Sequence, residues 1–305
     1  MKHGSVFKTA VLASSLGMSF MANASTPDPD PTPDPSGTCV DSSYITSSNL
    51  SNTGESGPYS VSTKNVSSWS ADGFGDGTIW YSQEAYEDCG RMPGIAVIPG
   101  YVSGENSIVW WGERLASWGF VVITTNTESG LDQPISRAGQ LSDALDHIID
   151  DSTVGSMVDE DTLGAIGWSM GGGGSIYLGN TRSEVKAIIP QAPWFASTIG
   201  SDKPVLFIGC ENDAIAPTYA HVNDFYDETG SGWFAPAVPK AKIEINNGSH
   251  YCANSGYSDE DLIGKAGIAW MKRFLSNDTR FNEFTCGQEN YGSDYNVSDY
   301  DYDDC

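Results

Sequence analysis

Short apolar runs alternate with longer amphipathic stretches along the chain from Tyr59 onward. The apolar runs have the length of strands, which we predict at Thr78–Tyr81, Gly94–Ile98, Val121–Thr125, Thr162–Gly167, Ala187–Pro190, Pro204–Gly209 and Ala241–Ile245. The amphipathic stretches predict helices at Ile108–Trp118, Arg137–Asp150, Gly172–Asn180 and Asp259–Leu275. Strands that alternate with helices are typical of βα units. We therefore expect a single α/β domain whose mostly parallel, twisted central sheet is flanked by helices.

The first residues follow the pattern of an export signal. Lys2 and Lys8 give a positive start, the apolar stretch from Thr9 to Met21 is too short to span a bilayer, and Ala22-Asn23-Ala24 matches an A-x-A cleavage site. We expect a secreted, extracellular protein without integral membrane association. The expected division of the chain is a signal peptide at 1–24, a linker rich in Pro and Asp at 25–37, and a folded domain at 38–305.

Composition narrows the classes of function. The chain has 305 residues, with 15 Lys and Arg against 40 Asp and Glu, and a net charge of −25. So few cations leave no basic stripe for nucleic-acid phosphates, and a chain with 39% hydrophobic residues is not a disordered acidic protein. All 6 Cys follow the expected cleavage site. An even number in an exported chain predicts disulfides, whose pairing the spacing alone leaves open.

The segment Gly167-Trp168-Ser169-Met170-Gly171 has the form G-x-S-x-G. It follows a predicted strand and precedes a run of small residues that begins a predicted helix. In that setting the motif predicts a sharp turn that lifts the Ser169 hydroxyl out of the sheet, while the glycines let helix and strand approach closely. Ser169 is therefore the candidate nucleophile. The alternative interpretation is a glycine-rich turn without chemistry.

A serine hydroxyl needs an adjacent base, and three of the 4 His follow the expected cleavage site. His147 lies in a predicted helix before the serine, His221 comes shortly after a strand, and His250 ends a loop after the last predicted strand. When a G-x-S-x-G turn carries the nucleophile, the chain order is serine, then acid, then a late histidine. This order selects His250.

The acid that orients the histidine should directly follow a strand between the serine and the histidine. Asp213 meets this condition and is the candidate, with Glu211 as the alternative. The oxyanion needs two backbone N–H donors. Met170 supplies one because it follows the serine, and Tyr101, in a loop after an earlier strand, is the candidate for the other.

The sequence contains no metal or cofactor motif. It has no H-E-x-x-H, no EF-hand loop and no His and Cys cluster of zinc spacing, so we expect no cofactor. Acidic residues near the C-terminus could bind Ca²⁺ weakly, but a solvated run of charges is the interpretation that we favour. These residues are Asp299, Asp301, Asp303 and Asp304.

Several longer segments resemble the secreted polyester hydrolases, which comprise bacterial cutinase-like enzymes and polyethylene terephthalate hydrolases. The resemblance runs from about Pro58 to the C-terminus. The matching segments are Pro99-Gly100-Tyr101, Trp110-Trp111-Gly112 through Thr125, Leu131-Asp132-Gln133-Pro134, the stretch from Gly167 to Gly174, Gln191-Ala192-Pro193-Trp194, the stretch from Glu211 to Pro217, and Gly248-Ser249-His250.

The resemblance implies an α/β-hydrolase without a lid and with an open surface groove. It assigns Ser169, Asp213 and His250 to a catalytic triad. It also assigns the backbone of Tyr101 and Met170 to an oxyanion hole. The substrate-binding residues that we expect along the groove are Tyr101, Trp168, Met170, Trp194, Ile215 and Tyr251.

The resemblance also bears on Trp194 and on the cysteines. Trp194 corresponds to a mobile aromatic residue that stacks on substrate rings, and His221 to the residue beneath that aromatic. Two disulfides are implied, Cys210–Cys252 beside the acid and the histidine, and Cys286–Cys305 at the C-terminus. Cys39–Cys89 is the pair that remains, and it has no counterpart in the family's common pattern.

Three features depart from the family. Tyr251 follows the histidine where the best-known polyester-degrading relative has a small Ser, so the ring is expected to narrow the groove beside Trp168. The segment Asp224–Val238 is longer than usual and could add a loop near the groove. The chain is also far more acidic. Because hydrolysis leaves carboxylates on a polyester surface, we expect salt to improve action on a film by screening repulsion.

The sequence therefore predicts a monomeric serine esterase that binds polymeric or lipid esters and hydrolyses polyesters through an acyl-enzyme. One alternative is a lipase for small esters and triglycerides, with incidental activity on polymers. The other is a non-catalytic binding protein, because a fold does not fix a function.

Overall fold

One mixed sheet of nine strands runs through the part of the chain that the structure describes. The computed structural model describes residues 39–52, 57–231, 237–257, 259–285 and 291–303, all within the unit Pro31–Cys305. The expected signal peptide 1–24, the linker 25–37 and the bridge Cys286–Cys305 lie outside the described residues.

The strands are β1 (Ser62–Val66), β2 (Gly77–Tyr81), β3 (Met92–Ile98), β4 (Val121–Thr125), β5 (Val158–Trp168), β6 (Val185–Gln191), β7 (Val205–Cys210), β8 (Lys240–Ile245) and β9 (Val297–Asp303). The α-helices are α1 (Ser47–Ser51), α2 (Gln83–Cys89), α3 (Trp110–Ala116), α4 (Pro134–Asp150), α5 (Met170–Thr181), α6 (Val222–Glu228) and α7 (Glu260–Phe274).

The strands lie side by side in the order β1-β2-β4-β3-β5-β6-β7-β8-β9. The central six, from β4 to β8 in that order, are parallel, and β1, β2 and β9 form antiparallel flanks. Every residue of β3, β4 and β7 is buried, so both faces of the central sheet are covered. This explains why those strands are mostly apolar in sequence, with Thr124 and Thr125 of β4 as buried polar exceptions.

All seven strands and all four helices predicted from the sequence are present, with bounds that differ by a few residues. The predicted α/β class and the mostly parallel sheet are confirmed. The elements that the apolar pattern did not predict are β1, β9, α1, α2 and α6. β1 reads Ser-Thr-Lys-Asn-Val and is mostly solvent-facing, so it has little of the apolar signal on which strand prediction depends.

Most of the acidic run near the C-terminus, for which we favoured a solvated run of charges, lies in the strand β9 (Val297–Asp303). β9 pairs antiparallel with β8, and Lys242 Nζ lies 2.7 Å from Asp299 Oδ2. Asp301 also lies opposite Lys242 in the register. The edge strand of the sheet thus carries charges that are partly matched across the ladder, which disfavours pairing with another chain. Asp304 lies outside the described residues.

The parallel strands β3 to β8 all end at the same edge of the sheet, which we call the carboxyl edge. Loops after these strands therefore converge there, and ligands of open α/β sheets bind at such an edge. None of the described helices combines the length and the apolar run that crossing a bilayer requires.

Candidate active site

Ser169 lies at the turn between β5 and α5, in a backbone conformation that non-glycine residues rarely adopt. Its φ is 57° and its ψ is −120°. Three hydrogen bonds hold this strained turn: the Ser169 amide donates to the Gln191 carbonyl (2.8 Å), and the Ser169 carbonyl accepts from the amides of Trp194 (2.9 Å) and Gly173 (3.1 Å). Local strain of this kind persists only when surrounding contacts fix it.

Two glycines allow the serine turn to pack closely against the loop that follows β3. A Cβ added at Gly171 would lie 2.6 Å from the Pro99 carbonyl oxygen, and one added at Gly100 would lie 2.8 Å from the Ser169 Cβ. Side chains at these positions would push the loop away from the serine. The glycines thus allow the loop at Gly100 to pack against Ser169.

A continuous chain of hydrogen bonds joins the three residues predicted as the triad. His250 Nε2 lies 2.8 Å from Ser169 Oγ, and His250 Nδ1 lies 2.6 Å from Asp213 Oδ2. All three side chains are buried. Because the ionised carboxylate only accepts, Nδ1 carries a proton and Nε2 is free to accept from the serine hydroxyl.

Asp213 is held as an anion by its hydrogen bonds. Burial acts to raise the pKa of this carboxyl, but the hydrogen bonds from His250 and from the amides of Ala216 and Ile215 outweigh burial and lower it. Both amides donate to Oδ1 at 2.8 Å. Glu211, the alternative acid, instead accepts from the Asn247 amide (2.7 Å) at the surface, so the structure brings Asp213 and not Glu211 to the histidine.

The loop of His250 is fixed from two sides. The Trp168 indole N–H donates to the His250 carbonyl oxygen (2.8 Å), and the two rings lie 5.2 Å apart. Cys252, two residues further on, forms a disulfide with Cys210 at the end of β7. The histidine loop is therefore attached to the strand whose end precedes Asp213.

The residues expected to form the oxyanion hole flank the serine. Met170 directly follows Ser169 as the first residue of α5, a position whose amide has no partner within its own helix, and Tyr101 directly follows Gly100, which packs on Ser169. The loop of Tyr101 is anchored by Arg137, whose buried guanidinium donates to the Pro99 carbonyl (2.9 Å) and the Gly130 carbonyl (3.1 Å). Burial lowers the pKa of Arg137 to about 10, so it stays charged at neutral pH.

Sequence reasoning missed Arg137 as a positioning residue. It lies in a predicted helix, and its three carbonyl partners are up to 38 residues away in sequence. A lone arginine on a helix is usually a surface residue, and no local signal distinguishes this one.

The residues expected along the groove differ in exposure. Tyr101, Ile215 and Tyr251 are exposed, and Met170 and Trp194 are partly buried. Trp168 is only 2% exposed, and its ring lies 5.4 Å from the Tyr251 ring and 5.2 Å from the His250 ring. Trp168 is therefore a buried support for the histidine and not an open wall of the groove.

Tyr251 is itself flanked on its other side. The Tyr257 ring stacks near it, with centroids 6.4 Å apart and an angle of 20° between planes. Of the longer segment noted in the sequence, residues 224–228 continue α6, and residues 232–236 lie outside the described part of the chain.

The other two histidines of the described residues have packing roles. His221 lies 6.5 Å from the Trp194 ring and 5.6 Å from the Phe225 ring, and burial lowers its pKa. His147 packs on Phe74. Neither makes a hydrogen bond with Ser169. Within the described ranges, no group of three or more His, Cys, Asp and Glu residues could hold a metal ion.

Comparison with known proteins adds a family to this geometry. The model of the family described as PET hydrolase-like matches residues 44–305. Lipase 1 of Moraxella sp. (strain TA144) is 53% identical over 268 residues, which cover 88% of this chain and 81% of that protein. Cutinase 1 of Thermobifida cellulosilytica and a cutinase of Thermobifida fusca (strain YX) are each 45% identical over 235 residues, 76% of this chain and 85% and 74% of theirs.

Proposed function

The chain belongs to the PET hydrolase-like family of α/β-hydrolases, and we propose that it is a secreted serine esterase that hydrolyses polyesters through an acyl-enzyme. It is a carboxylic ester hydrolase, in agreement with relatives named as cutinases and a lipase. The observation that carries the proposal is the chain of hydrogen bonds from Ser169 through His250 to Asp213, at 2.8 Å and 2.6 Å.

In the first half of the reaction, the Ser169 oxygen attacks the ester carbonyl carbon and His250 Nε2 takes the serine proton. The negative charge that develops on the carbonyl oxygen is stabilised by the amides of Tyr101 and Met170. Loss of one such donor typically costs about 100-fold or more in rate. When the carbon–oxygen bond to the leaving group breaks, Nε2 gives its proton to the departing alcohol.

In the second half, water replaces the alcohol. Nε2 takes a proton from the water as its oxygen attacks the acyl carbon, and the bond from that carbon to Ser169 Oγ then breaks. The proton returns to the serine, and a carboxylic acid is released. Throughout, the anionic Asp213 stabilises the positive charge that His250 carries after each proton transfer.

Polyester is the proposed substrate because of the exposed aromatic and apolar side chains next to the triad and because of the family membership. Tyr101, Ile215 and Tyr251 are exposed beside the buried triad, and such side chains can pack against the aromatic rings of a polyester. The alternative is a lipase for small esters or triglycerides. The relative of 53% identity that is named a lipase favours this alternative.

Export is part of the proposal. Two disulfides, Cys39–Cys89 and Cys210–Cys252, occur in the described residues, and disulfides persist mainly in oxidising compartments. The proposed division of the chain remains a signal peptide at 1–24, a linker at 25–37 and the catalytic domain from 38 onward.

Labelling with a fluorophosphonate tests whether the chain is an enzyme at all. We expect one adduct per folded chain, located on Ser169 by peptide mass, and none on Ser169→Ala. Ser175→Ala is the matched control, because that buried hydroxyl only donates to the Gly172 carbonyl. Absence of the adduct from the folded chain would reject the esterase and favour a non-catalytic binding protein.

A panel of esters separates polyester hydrolase from lipase. Rates on a polyethylene terephthalate film, on tributyrin and on a soluble nitrophenyl ester are compared, and the products from the film are identified by mass. We expect soluble aromatic acids and their short esters from the film. Rapid tributyrin hydrolysis with no film products would establish the lipase.

A further inference from the structure

The histidine loop has to cross part of the sheet to reach the serine. His250 follows β8 and Ser169 follows β5, and three strand intervals, about 14 Å, separate these strands. The disulfide Cys210–Cys252 attaches the loop only to β7, and the Trp168 indole holds a single carbonyl of it. The rest of the loop, residues 253–257, has to be held by other contacts.

The segment at the start of α3 provides such contacts. The Trp110 indole N–H donates to the carbonyl oxygen of Ala253, three residues after His250, at 3.1 Å. Just before α3, the Ser107 carbonyl accepts from the Ser255 amide at 2.9 Å. The loop that carries the histidine is thus bonded to this segment at two points.

The next residue, Trp111, is bonded to the serine turn through one intermediate residue. Its indole N–H donates to Gln191 Oε1 (3.3 Å), and the main-chain carbonyl of Gln191 accepts from the Ser169 amide (2.8 Å). Trp111 and Gln191 are fully buried, so water does not compete for the bond between them.

The two indoles lie against each other. The ring centroids of Trp110 and Trp111 are 4.1 Å apart, with an angle of 28° between the planes. In a close-packed interior, rings at this distance cannot move independently. Hydrogen bonds and stacking therefore form one path from Ser169 through Gln191 and the two tryptophans to the histidine loop. We call Trp110 and Trp111 the tryptophan pair.

Helix α3 is itself fixed against α7. The Arg114 guanidinium lies over the Trp110 ring, 5.7 Å from its centroid, and donates to the Glu260 carbonyl (2.7 Å). A Cβ added at Gly267 of α7 would lie 2.3 Å from Trp111 Cη2, so the absence of a side chain there lets the indole pack against α7. The tryptophan pair is therefore attached to the body of the domain.

We infer that Trp110 and Trp111 are positioning residues that set the distance between the serine turn and the histidine loop. The inference rests on the proposed function and adds a link that acts between the nucleophile and the base. Without the pair, the loop keeps its disulfide and its bond from Trp168, but the distance from Ser169 Oγ to His250 Nε2 is no longer held at 2.8 Å.

The test compares indole N–H donors that differ in what they hold. Trp110→Phe and Trp111→Phe each remove one donor of the pair. Trp80→Phe is the matched control, because the half-buried Trp80 packs against the same helix at Gly112 and donates to the Thr124 hydroxyl on β4 (3.0 Å). We expect each variant of the pair to lose about tenfold in kcat on a soluble nitrophenyl ester with KM nearly unchanged, because a small shift of the histidine slows the reaction without weakening binding. Trp80→Phe should retain kcat.

The double variant shows whether the two side chains act as one link. Independent losses would multiply to about 100-fold, whereas breaking the same path twice should cost little more than breaking it once, about 10- to 20-fold. Crystal structures provide a readout independent of activity. The distance from His250 Nε2 to Ser169 Oγ should exceed about 3.2 Å in both single variants and stay unchanged in Trp80→Phe.

Unchanged kcat in both single variants, an equal loss in Trp80→Phe, or losses that multiply in the double variant would overturn the inference. Unfolding curves in denaturant are recorded for every variant. If a Phe variant is unfolded, that tryptophan is replaced by benzothienylalanine, whose ring has nearly the same shape and carries sulfur in place of the N–H. Absence of ester hydrolysis by the parent would refute the proposed function, while the crystallographic distances would still report on the tryptophan pair.

Discussion

The two disulfides of the described structure close chain segments of similar length in very different surroundings. Cys210–Cys252 spans 42 residues and Cys39–Cys89 spans 50. In the chain-entropy model, each stabilises the fold by about 4 kcal/mol. The first joins the end of β7, which precedes Asp213, to the loop of His250. The second fastens the N-terminal segment to α2, where no residue of the proposed mechanism lies.

The same kind of covalent bond therefore has different consequences in the two regions. Next to Cys210–Cys252, hydrogen bonds join Asp213 to His250 and His250 to Ser169, the proposed nucleophile. Next to Cys39–Cys89 the buried Tyr59 hydroxyl donates to the exposed Asp88 (2.5 Å), and the pKa of Tyr59 is raised, first by burial and then by Asp88. A disulfide next to the candidate site should therefore affect the rate of ester hydrolysis as well as stability, whereas a distant disulfide should affect stability alone.

The largest expected difference comes from one carboxylate in each region. Asp213→Asn should lower kcat on a soluble nitrophenyl ester by about 10,000-fold, because the amide no longer holds the histidine tautomer and its positive charge. Asp88→Asn changes the acceptor of the Tyr59 hydroxyl and should leave kcat within about twofold of the parent. A large loss of kcat in Asp88→Asn, or a small loss in Asp213→Asn, would contradict the different roles assigned to the two regions.

The disulfides themselves give the next largest effect. Cys210→Ser with Cys252→Ser should lower kcat about tenfold at temperatures where the chain is still folded, because the loops of Asp213 and His250 lose their link and sample unreactive geometries. Cys39→Ser with Cys89→Ser should retain kcat. Both should lower the free energy of unfolding by about 2–4 kcal/mol in denaturant titrations.

Titration with reductant gives a second view of the same bond. As Cys210–Cys252 is reduced in the parent, activity should fall before global unfolding. Loss of activity and of fold at the same reductant concentration would contradict the role assigned to this disulfide.

A buried lysine near the second disulfide should affect stability without affecting rate. Lys272 lies 5.0 Å from the Phe120 ring, and a Cβ on Gly119 would lie 3.5 Å from its Nζ and 3.8 Å from Cys89 Sγ. Burial lowers the pKa of Lys272 to about 8, against the opposing effect of Asp278.

The sign of the pH dependence follows from that lowered pKa. An unfolded lysine has a pKa of about 10.4, so the unfolded chain binds more protons between about pH 8 and 10.4, and this group makes stability rise across that window. Below pH 8 the buried charge costs up to about 3 kcal/mol. Lys272→Met should therefore raise the free energy of unfolding at pH 7, raise it less at pH 10, and leave kcat unchanged. Equal gains at both pH values would refute the charge explanation.

Salt should have the smallest effect. It should change the rate of film hydrolysis and leave the stability effect of Lys272 almost unchanged. Raising NaCl from about 0.01 M to 0.5 M shortens the screening length several-fold, so hydrolysis of a film by this acidic chain should rise about two- to threefold. Turnover of a soluble, neutral ester should change less. The stability gain of Lys272→Met should be almost independent of salt because the lysine is buried. Equal salt responses on film and soluble ester would reject surface repulsion.

The sequence predicted the central sheet because its signal is local. β3, β4 and β7 are mostly apolar runs, which can be recognised in the sequence whatever the register or direction of the strand. β1 and β9 were not predicted because their strand structure comes from pairing with a neighbour. The alternating Asp and Tyr of β9 have the sequence pattern of a charged tail, and their strand structure comes from pairing with β8.

The candidate site divides in the same way. Ser169, Asp213 and His250 were selected by motif and by order along the chain, since a strand end, a turn and a short polar loop are all visible in one dimension. The roles of Arg137 and of the buried Trp168 were not visible. These roles depend on contacts with carbonyls or rings of distant segments. The residues around Arg137 and Trp168 in the sequence do not distinguish them from an arginine at the surface or a tryptophan that lines a groove.

The sequence by itself thus determined the α/β class, the order of the strands along the chain, and Ser169 and His250 as the candidate nucleophile and base, because strand ends and glycine turns are encoded in neighbouring residues. Only the tertiary structure decided that Asp213 and not Glu211 reaches the histidine, that Trp168 is buried, and that Arg137 holds the loop before Tyr101. Those facts depend on long-range packing, in which a difference of one or two ångströms separates a hydrogen bond from no contact at all.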